Sequence, residues 1–421
     1  MTLNRRDFLK TGAATSIGLW LDTLLKPLSL LAGDIDRAFP QMVYRPYGQT
    51  GKEVSLLGFG AMRLPFEKGG GTGESVALLV KAYEMGVNYF DTAPKYVFDK
   101  SEEIVGLAMK EIDRRNKNVR HPLPYYWTSK SGVGIGDTKA DDVLRRIEES
   151  LKRLGKDKIP FYHMWCLMDL NHYTEVMKKD GPYEGALKAK EQGLIEHIVF
   201  SSHATGEENL QIINDDVFEG MLVGYNVTNF PRQDKAIRRA AEKGMGVVTM
   251  NPLAGGLIPQ NAEYFAERLK SSGTGMTIVQ TALAFIMGQP EITVALSGMS
   301  KMEHLEENIK TLNFLKVFTE TQLAELKSKY LQDLDGICTT CQYCDVCPED
   351  IPVYRIMEVY NTFILKGKAE FQGYANWLKE HQELDFKAEI EKCIQCKLCE
   401  KNCTQHLNIL ERFDEITTKL L

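Results

Sequence analysis

From about Asp34 to Tyr330 the chain repeats one pattern eight times, a short apolar run followed by a longer amphipathic one. After a hairpin-like segment at 43–56, the apolar runs that read as strands are 57–61, 89–92, 125–129, 161–166, 198–201, 221–225, 247–250 and 294–297. Helical periodicity separates them at 74–85, 102–112, 140–154, 183–192, 207–214, 233–243 and 278–287. Eight strands alternating with helices over about 270 residues predict an α/β chain built on a (β/α)8 TIM barrel. The rival architecture, a doubly wound open sheet, would call for a strand–GxGxxG–helix unit, and none is present. The glycine-rich stretch 69–73 precedes the first helix and reads as a surface loop rather than a phosphate cradle.

Composition narrows the class further. Hydrophobic residues at 43% and charged residues at 26% are ordinary for a folded soluble chain. A net charge of −6, with no long basic stripe, argues against a nucleic-acid partner. The N-terminus carries Arg5-Arg6-Asp7-Phe8-Leu9-Lys10 and then an apolar stretch to about Leu25. This resembles a twin-arginine export signal over 1–33 and implies a periplasmic or cell-envelope location. The stretch is short for a membrane span, and no second run of spanning length follows.

Eight of the nine cysteines fall between Cys338 and Cys403. They form two tight runs, Cys338, Cys341, Cys344, Cys347 and then Cys393, Cys396, Cys399, Cys403. Crowded thiolates repel one another, and a soft multivalent centre relieves that repulsion, which points to iron–sulfur clusters or zinc. A disulfide framework is the further alternative in an oxidising compartment. Zinc sites draw on separated Cys-x2-Cys pairs, whereas each run here offers four ligands in a row. The runs resemble the C-x2-C-x2-C-x3-C-P pattern of two-cluster ferredoxins. The first keeps the proline (Pro348) but is one residue short; the second keeps the spacing but has Thr404 in place of proline. That resemblance implies two [4Fe-4S] clusters with crossed ligation. One would be held by Cys338, Cys341, Cys344 and Cys403, the other by Cys393, Cys396, Cys399 and Cys347. Residues 331–421 then form a small, mostly helical iron–sulfur domain after a barrel spanning 34–330. The aromatics between the runs (Tyr354, Tyr360, Phe363, Phe371, Tyr374, Trp377) are expected to pack against the barrel, and Cys166 to be simply buried in its strand.

Barrel enzymes carry their chemistry at the C-terminal strand ends. Those ends here hold Asp91, Tyr96, Lys130, His163, Trp165, Ser202, His203, Asn226, Met250, Pro252, Leu253, Gly298, His304, Glu307 and Asn308. Together with Leu57-Gly58-Phe59-Gly60, Phe90-Asp91-Thr92-Ala93 and Leu305-Glu306-Glu307-Asn308, the order of these segments resembles the aldo/keto reductase family across 41–315. With the cysteine tail, the chain looks like the subgroup that carries a C-terminal two-cluster ferredoxin domain.

The resemblance implies an Asp–Tyr–Lys–His tetrad, which Asp91, Tyr96 and Lys130 match at three positions. Tyr96 would protonate the oxygen that hydride transfer leaves charged, with Lys130 easing proton donation and Asp91 holding the lysine. Trp165 takes the histidine position. His163, two residues earlier, shares its strand face and could substitute from another height. The resemblance also implies a bound NADP or NAD. Met250 would lie where relatives stack an aromatic ring, and Ser202 or His203, with Asn226, would contact the carboxamide. Pro252 and Leu253 follow that strand, and Gly298, His304, Glu307 and Asn308 fall in the phosphate and adenine region. The expected function is an iron–sulfur oxidoreductase acting on a small carbonyl or alcohol, with electrons relayed through the clusters from a redox partner in the envelope. The alternative is a non-catalytic electron-transfer or binding protein on a degenerate barrel.

Overall fold

The computed structural model describes residues 39–66, 72–269, 275–315 and 336–421, with three isolated positions at 321, 324 and 328. The paired arginines and most of the glycine-rich loop lie outside these residues. A short antiparallel hairpin, β1 (Tyr44–Pro46) and β2 (Glu53–Ser55), opens the described chain. Eight parallel strands follow: β3 (Leu57–Gly60), β4 (Tyr89–Asp91), β5 (Tyr126–Ser131), β6 (Ile159–Leu167), β7 (Ile195–Ser202), β8 (Gly220–Gly224), β9 (Gly246–Met250) and β10 (Val294–Ser297). They close into a barrel, with β10 pairing to β3.

The outer helices are α1 (Gly73–Glu84), α2 (Ser101–Asn116), α3 (Ala140–Leu154), α4 (Leu170–Met177), α5 (Pro182–Glu191), α6 (Gly206–Asn214), α7 (Asp234–Glu242), α8 (Leu257–Gln260), α9 (Ala262–Arg268), α10 (Ile278–Met287) and α11 (Met302–Lys310). Helix α3 shows why they form. Val143, Ile147, Leu151 and Leu154 recur at helical spacing and are buried, and Gly155 in the left-handed region ends the helix. Thr205 with Glu208 and Thr277 with Gln280 make reciprocal caps at the starts of α6 and α10. Helix α4 was not foreseen, because its eight residues are too few for a clear period. Its start is nonetheless fixed by the Asp169 carboxylate, which accepts from the His172 amide.

Strand β6 is longer than its apolar run suggests and carries a bulge between Met164 and Leu167. Cys166 sits in that bulge with φ 62°, half-buried rather than simply enclosed in a regular strand. Bulges re-aim side chains and recur beside active sites.

The lower end of the barrel is plugged by the hairpin. Tyr47 is fully buried, with its ring 4.1 Å from that of Phe161. Gly246 exists to admit it: a Cβ there would lie 2.2 Å from the Tyr47 ring. Val54, Tyr89, Val199, Leu222, Val248 and Val294 complete this apolar layer inside the strands.

The tail comprises α12 (Val353–Lys366), α13 (Lys368–Gln382), α14 (Phe386–Glu391), α15 (Leu398–Lys401) and α16 (Ile409–Glu415). Its aromatics do not chiefly face the barrel. Phe371 and Tyr360 join Phe386, Phe413 and four of the cysteines in a core of the tail's own, Tyr354, Phe363 and Tyr374 flank it, and Trp377 is 45% exposed. The reason is that α12 and α13 pack on each other, so their apolar faces are used locally. Ile337 and Leu365 are the buried tail residues that join the barrel's main core.

Replacing Tyr47 with alanine should empty the plug and lower stability by about 3–5 kcal/mol, read as a reduced urea midpoint. An unchanged midpoint would show that the hairpin does not close the barrel.

Candidate active site

Strand register brings the chemistry together. Lys130 on β5 lies beside His163 on β6, and Asp91 ends β4. The Lys130 ammonium has 0% exposure. It donates to Asp91 Oδ2 at 2.5 Å and to the Thr92 carbonyl at 2.9 Å. Thr128 Oγ1 donates to the same carboxylate oxygen at 2.9 Å. Burial pushes the lysine pKa down, and Asp91 pushes it back up. The pair is therefore held by mutual contact rather than by water.

Tyr96 lies over this pair, with Lys130 Nζ 5.3 Å from the ring centroid. Burial pushes the Tyr96 phenol well above its usual value, and Asp91 adds to the shift, followed by Tyr343 and Cys166. The ammonium is already neutralised at 2.5 Å by Asp91, so desolvation of the phenol dominates. Tyr96 thus stays protonated through neutral pH.

Trp165 and His163 resolve into two heights. Trp165 faces the Tyr96 ring edge-on at 5.7 Å, aimed there by the β6 bulge. Gly132 gives the bulge room, since a Cβ there would meet the Trp165 carbonyl at 2.6 Å. His163 is fully buried one layer lower, with Nε2 3.9 Å from Asp91 Oδ2. Burial, then Lys130, holds its pKa well below normal, so it sits neutral beneath the ion pair.

These groups open onto a cavity of about 390 Å³ at the barrel mouth. Asp91, Tyr96, Lys130, Trp165 and His203 form its floor and one wall, while Met250, Pro252, Leu253, Gly298, His304, Glu307 and Asn308 continue it. His163 is not among the lining residues.

Two of the expected cofactor contacts are used elsewhere. The Ser202 hydroxyl donates to the Leu167 carbonyl at 3.1 Å; strand alternation turns Ser201 toward the cavity in its place. Asn226 is fully buried, bracing its own loop through the Asn251 carbonyl, Thr228 and Asn229. Asn308, though lining the cavity, donates to Ser297 Oγ at 2.8 Å, and Glu307 accepts from Thr277. Arg63 also lines this groove, close against Gly298. It was overlooked because it sits in a turn after β3 and carries no motif of its own.

The tail covers the same mouth. The cavity is also lined by Thr339, Cys341 and Tyr343. Gly255, with φ 70°, lets the Thr339 carbonyl approach to within 2.4 Å of where a Cβ would stand. The His406 Nε2 donates to the His203 carbonyl at 3.0 Å, and Asn229 donates to Gln405 at 3.3 Å. The His203 ring packs on Tyr343 at 5.1 Å.

Behind this contact, Cys338, Cys341, Cys344 and Cys403 line a second, smaller cavity. All nine cysteines are free thiols, so no disulfide framework forms. Among the described residues, no three His, Cys, Asp or Glu side chains converge on one ion. No described helix is long and apolar enough to cross a membrane.

The sequence profile of the aldo/keto reductase family matches residues 56–331. An uncharacterized oxidoreductase of Bacillus subtilis is 25% identical over 325 residues, which cover 69% of this chain and 97% of that one. The L-galactose dehydrogenase of Arabidopsis thaliana is 27% identical over 315 residues, covering 70% and 93% respectively. Among solved structures, the holo form of aldo-keto reductase AKR11C1 from Bacillus halodurans superposes with a TM-score of 0.58 at 20% identity. That match covers 69% of this chain and 96% of the other, and it bears on the fold.

Two measurements follow from the geometry. Lys130→Met strands a buried carboxylate and should cost about 3–5 kcal/mol in urea unfolding, most of it recovered in the double variant with Asp91→Asn. The His203 imidazole is pushed down from 6.5 to about 4 by burial and by His406. Its folded form binds a proton less readily than its unfolded form, so stability falls as pH drops from the ordinary histidine range toward the folded value. His203→Gln should flatten that decline; an identical decline in the variant would assign it to other groups.

Proposed function

Since the chain belongs to the aldo/keto reductase family, we propose that this oxidoreductase interconverts a small carbonyl compound and its alcohol at the barrel mouth. The observation that carries this reading is the Tyr96 phenol, protonated and set over the buried Lys130–Asp91 pair in the cavity wall. In the reducing direction the substrate carbonyl carbon gains a hydride and its oxygen gains the Tyr96 proton. The Lys130 ammonium, 5.3 Å from the ring, opposes the charge left on the phenolate. Trp165 offers one indole N–H donor and no base, so it can orient a substrate oxygen but not relay a proton.

A nicotinamide dinucleotide, when bound, supplies the hydride. The residues present fit it in part. Met250 offers a thioether face, Ser201 a hydroxyl, and Gly298, Ser300, His304 and Arg63 a polar groove continuous with the cavity. Glu307 in the same wall disfavours extra negative charge there. His304, with Lys301 near it, would have to meet any 2′-phosphate, so NAD and NADP both remain within the reading.

The proposal extends to two [4Fe-4S] clusters in the tail, which when bound would supply single electrons. Cys338, Cys341, Cys344 and Cys403 would hold one; their side chains ring a shared cavity as free thiols, and the Arg412 guanidinium, stacked at 4.8 Å over Tyr360, lies where it feels Cys338 and Cys403. Cys347, Cys393, Cys396 and Cys399 would hold the other, with Cys396 at the surface. The family match ends at 331, which supports a separate iron–sulfur domain over 331–421 after a barrel domain over 34–330. A redox partner in the envelope and export of the chain by its twin-arginine segment belong to the same reading.

Anaerobically purified protein should contain about eight irons and eight sulfides per chain, bind a dinucleotide, and reduce members of a carbonyl panel. Tyr96→Phe should lower kcat by about 100-fold or more. The alternative, an electron-transfer or binding protein on a degenerate barrel, is favoured by Trp165 at the histidine position. It gains the field if Tyr96→Phe matches the wild type and no dinucleotide binds. Iron-free, colourless protein would remove the cluster reading while leaving the barrel chemistry to its own test.

A further inference from the structure

We propose that Tyr343, supplied by the tail, is a specificity-determining residue: its ring roofs the catalytic cavity and limits the carbonyl compounds admitted to short or slender ones. This rests on the carbonyl reading of the barrel mouth and adds the feature that sets its substrate class.

Two contacts, one of the ring and one of its segment, place it there. It packs on His203 at the end of β7, with centroids 5.1 Å apart. Its own segment is clamped from below, where Gly255 allows the Thr339 carbonyl to sit against the loop after β9. A side chain packed on the end of β7, from a segment docked against the loop after β9, is a wall rather than a passing neighbour. It lines the same cavity as Tyr96 and Trp165, and its charge state is felt by Tyr96.

The roof is this chain's own addition. The family match stops at 331, and the relatives are spanned over 93% and 97% of their lengths by about 70% of this chain. The tail segment from Thr339 to Tyr343 lies beyond that match and borders the cavity. The remaining space, about 390 Å³ shared with the dinucleotide groove, is bounded by Leu222, Leu253 and Leu296 as well as by the two aromatic rings. A broad ring system on the substrate would compete directly with the Tyr343 phenol.

The test uses the full chain purified anaerobically, with propanal, benzaldehyde and 2-naphthaldehyde as probes and NADH and NADPH each supplied. Both kcat/KM and, by calorimetry, the dissociation constant of each aldehyde are measured. Tyr343→Ala should raise the preference for 2-naphthaldehyde over propanal about tenfold or more, chiefly through KM. Tyr343→Phe keeps the ring and should keep the wild-type preference. If Tyr343→Ala fails to fold, Tyr343→Leu, which keeps an apolar anchor, should show the same shift in smaller measure. A naphthaldehyde-to-propanal ratio within about twofold of wild type in the shortened variants overturns the roof. If the wild type reduces none of the aldehydes, the carbonyl reading fails, and the ratio of dissociation constants still decides whether Tyr343 bounds the cavity.

Discussion

An ammonium group with no solvent exposure persists in a protein only when a carboxylate is pressed against it. The contact between Lys130 and Asp91 is that constraint here, and much of the mouth is arranged around it. Asp91 is placed by the end of β4 and Lys130 by β5, so the parallel pairing of these neighbouring strands brings the two charges within 2.5 Å. Thr92 and Thr128 take up the remaining hydrogen-bonding capacity. With the charges compensated, the phenol above them feels mainly its own desolvation and keeps its proton. A mobile or half-solvated pair would give a different acid at the same position.

Most of the barrel was legible because its signals are local. Each apolar run is bounded by helical periodicity, and the strands agree with their runs to within a few residues; β10 and helix α3 coincide with theirs. The order Asp91, Tyr96, Lys130 carried the site for the same reason, since each sits at a strand end or just beyond it. What escaped was non-local. The bulge that turns Trp165 toward Tyr96 depends on pairing between β6 and β7, which no single strand encodes. Of the alternatives Ser202 and His203, it is His203 that lines the cavity, together with Ser201, because the alternation along a strand fixes a face only once the register is known. Asn226 reads as a binding residue and serves as a loop brace, because its partners come from other segments.

The tail illustrates the opposite balance. Its cysteine spacing was plain, but its relation to the barrel was not. The aromatics between the two runs build a core for α12 and α13 and only lightly engage the larger domain. The docking instead uses a glycine in the left-handed region, a histidine bonded to a backbone carbonyl and a tyrosine packed on a histidine ring. None of these has a pattern that a sequence reader could distinguish from ordinary loop residues.

Cys341 borders two chambers at once, the small thiol-lined one in the tail and the large one at the barrel mouth. Geometry leaves no buffer between them. Any shift of this sulfur therefore redraws the walls of both chambers together.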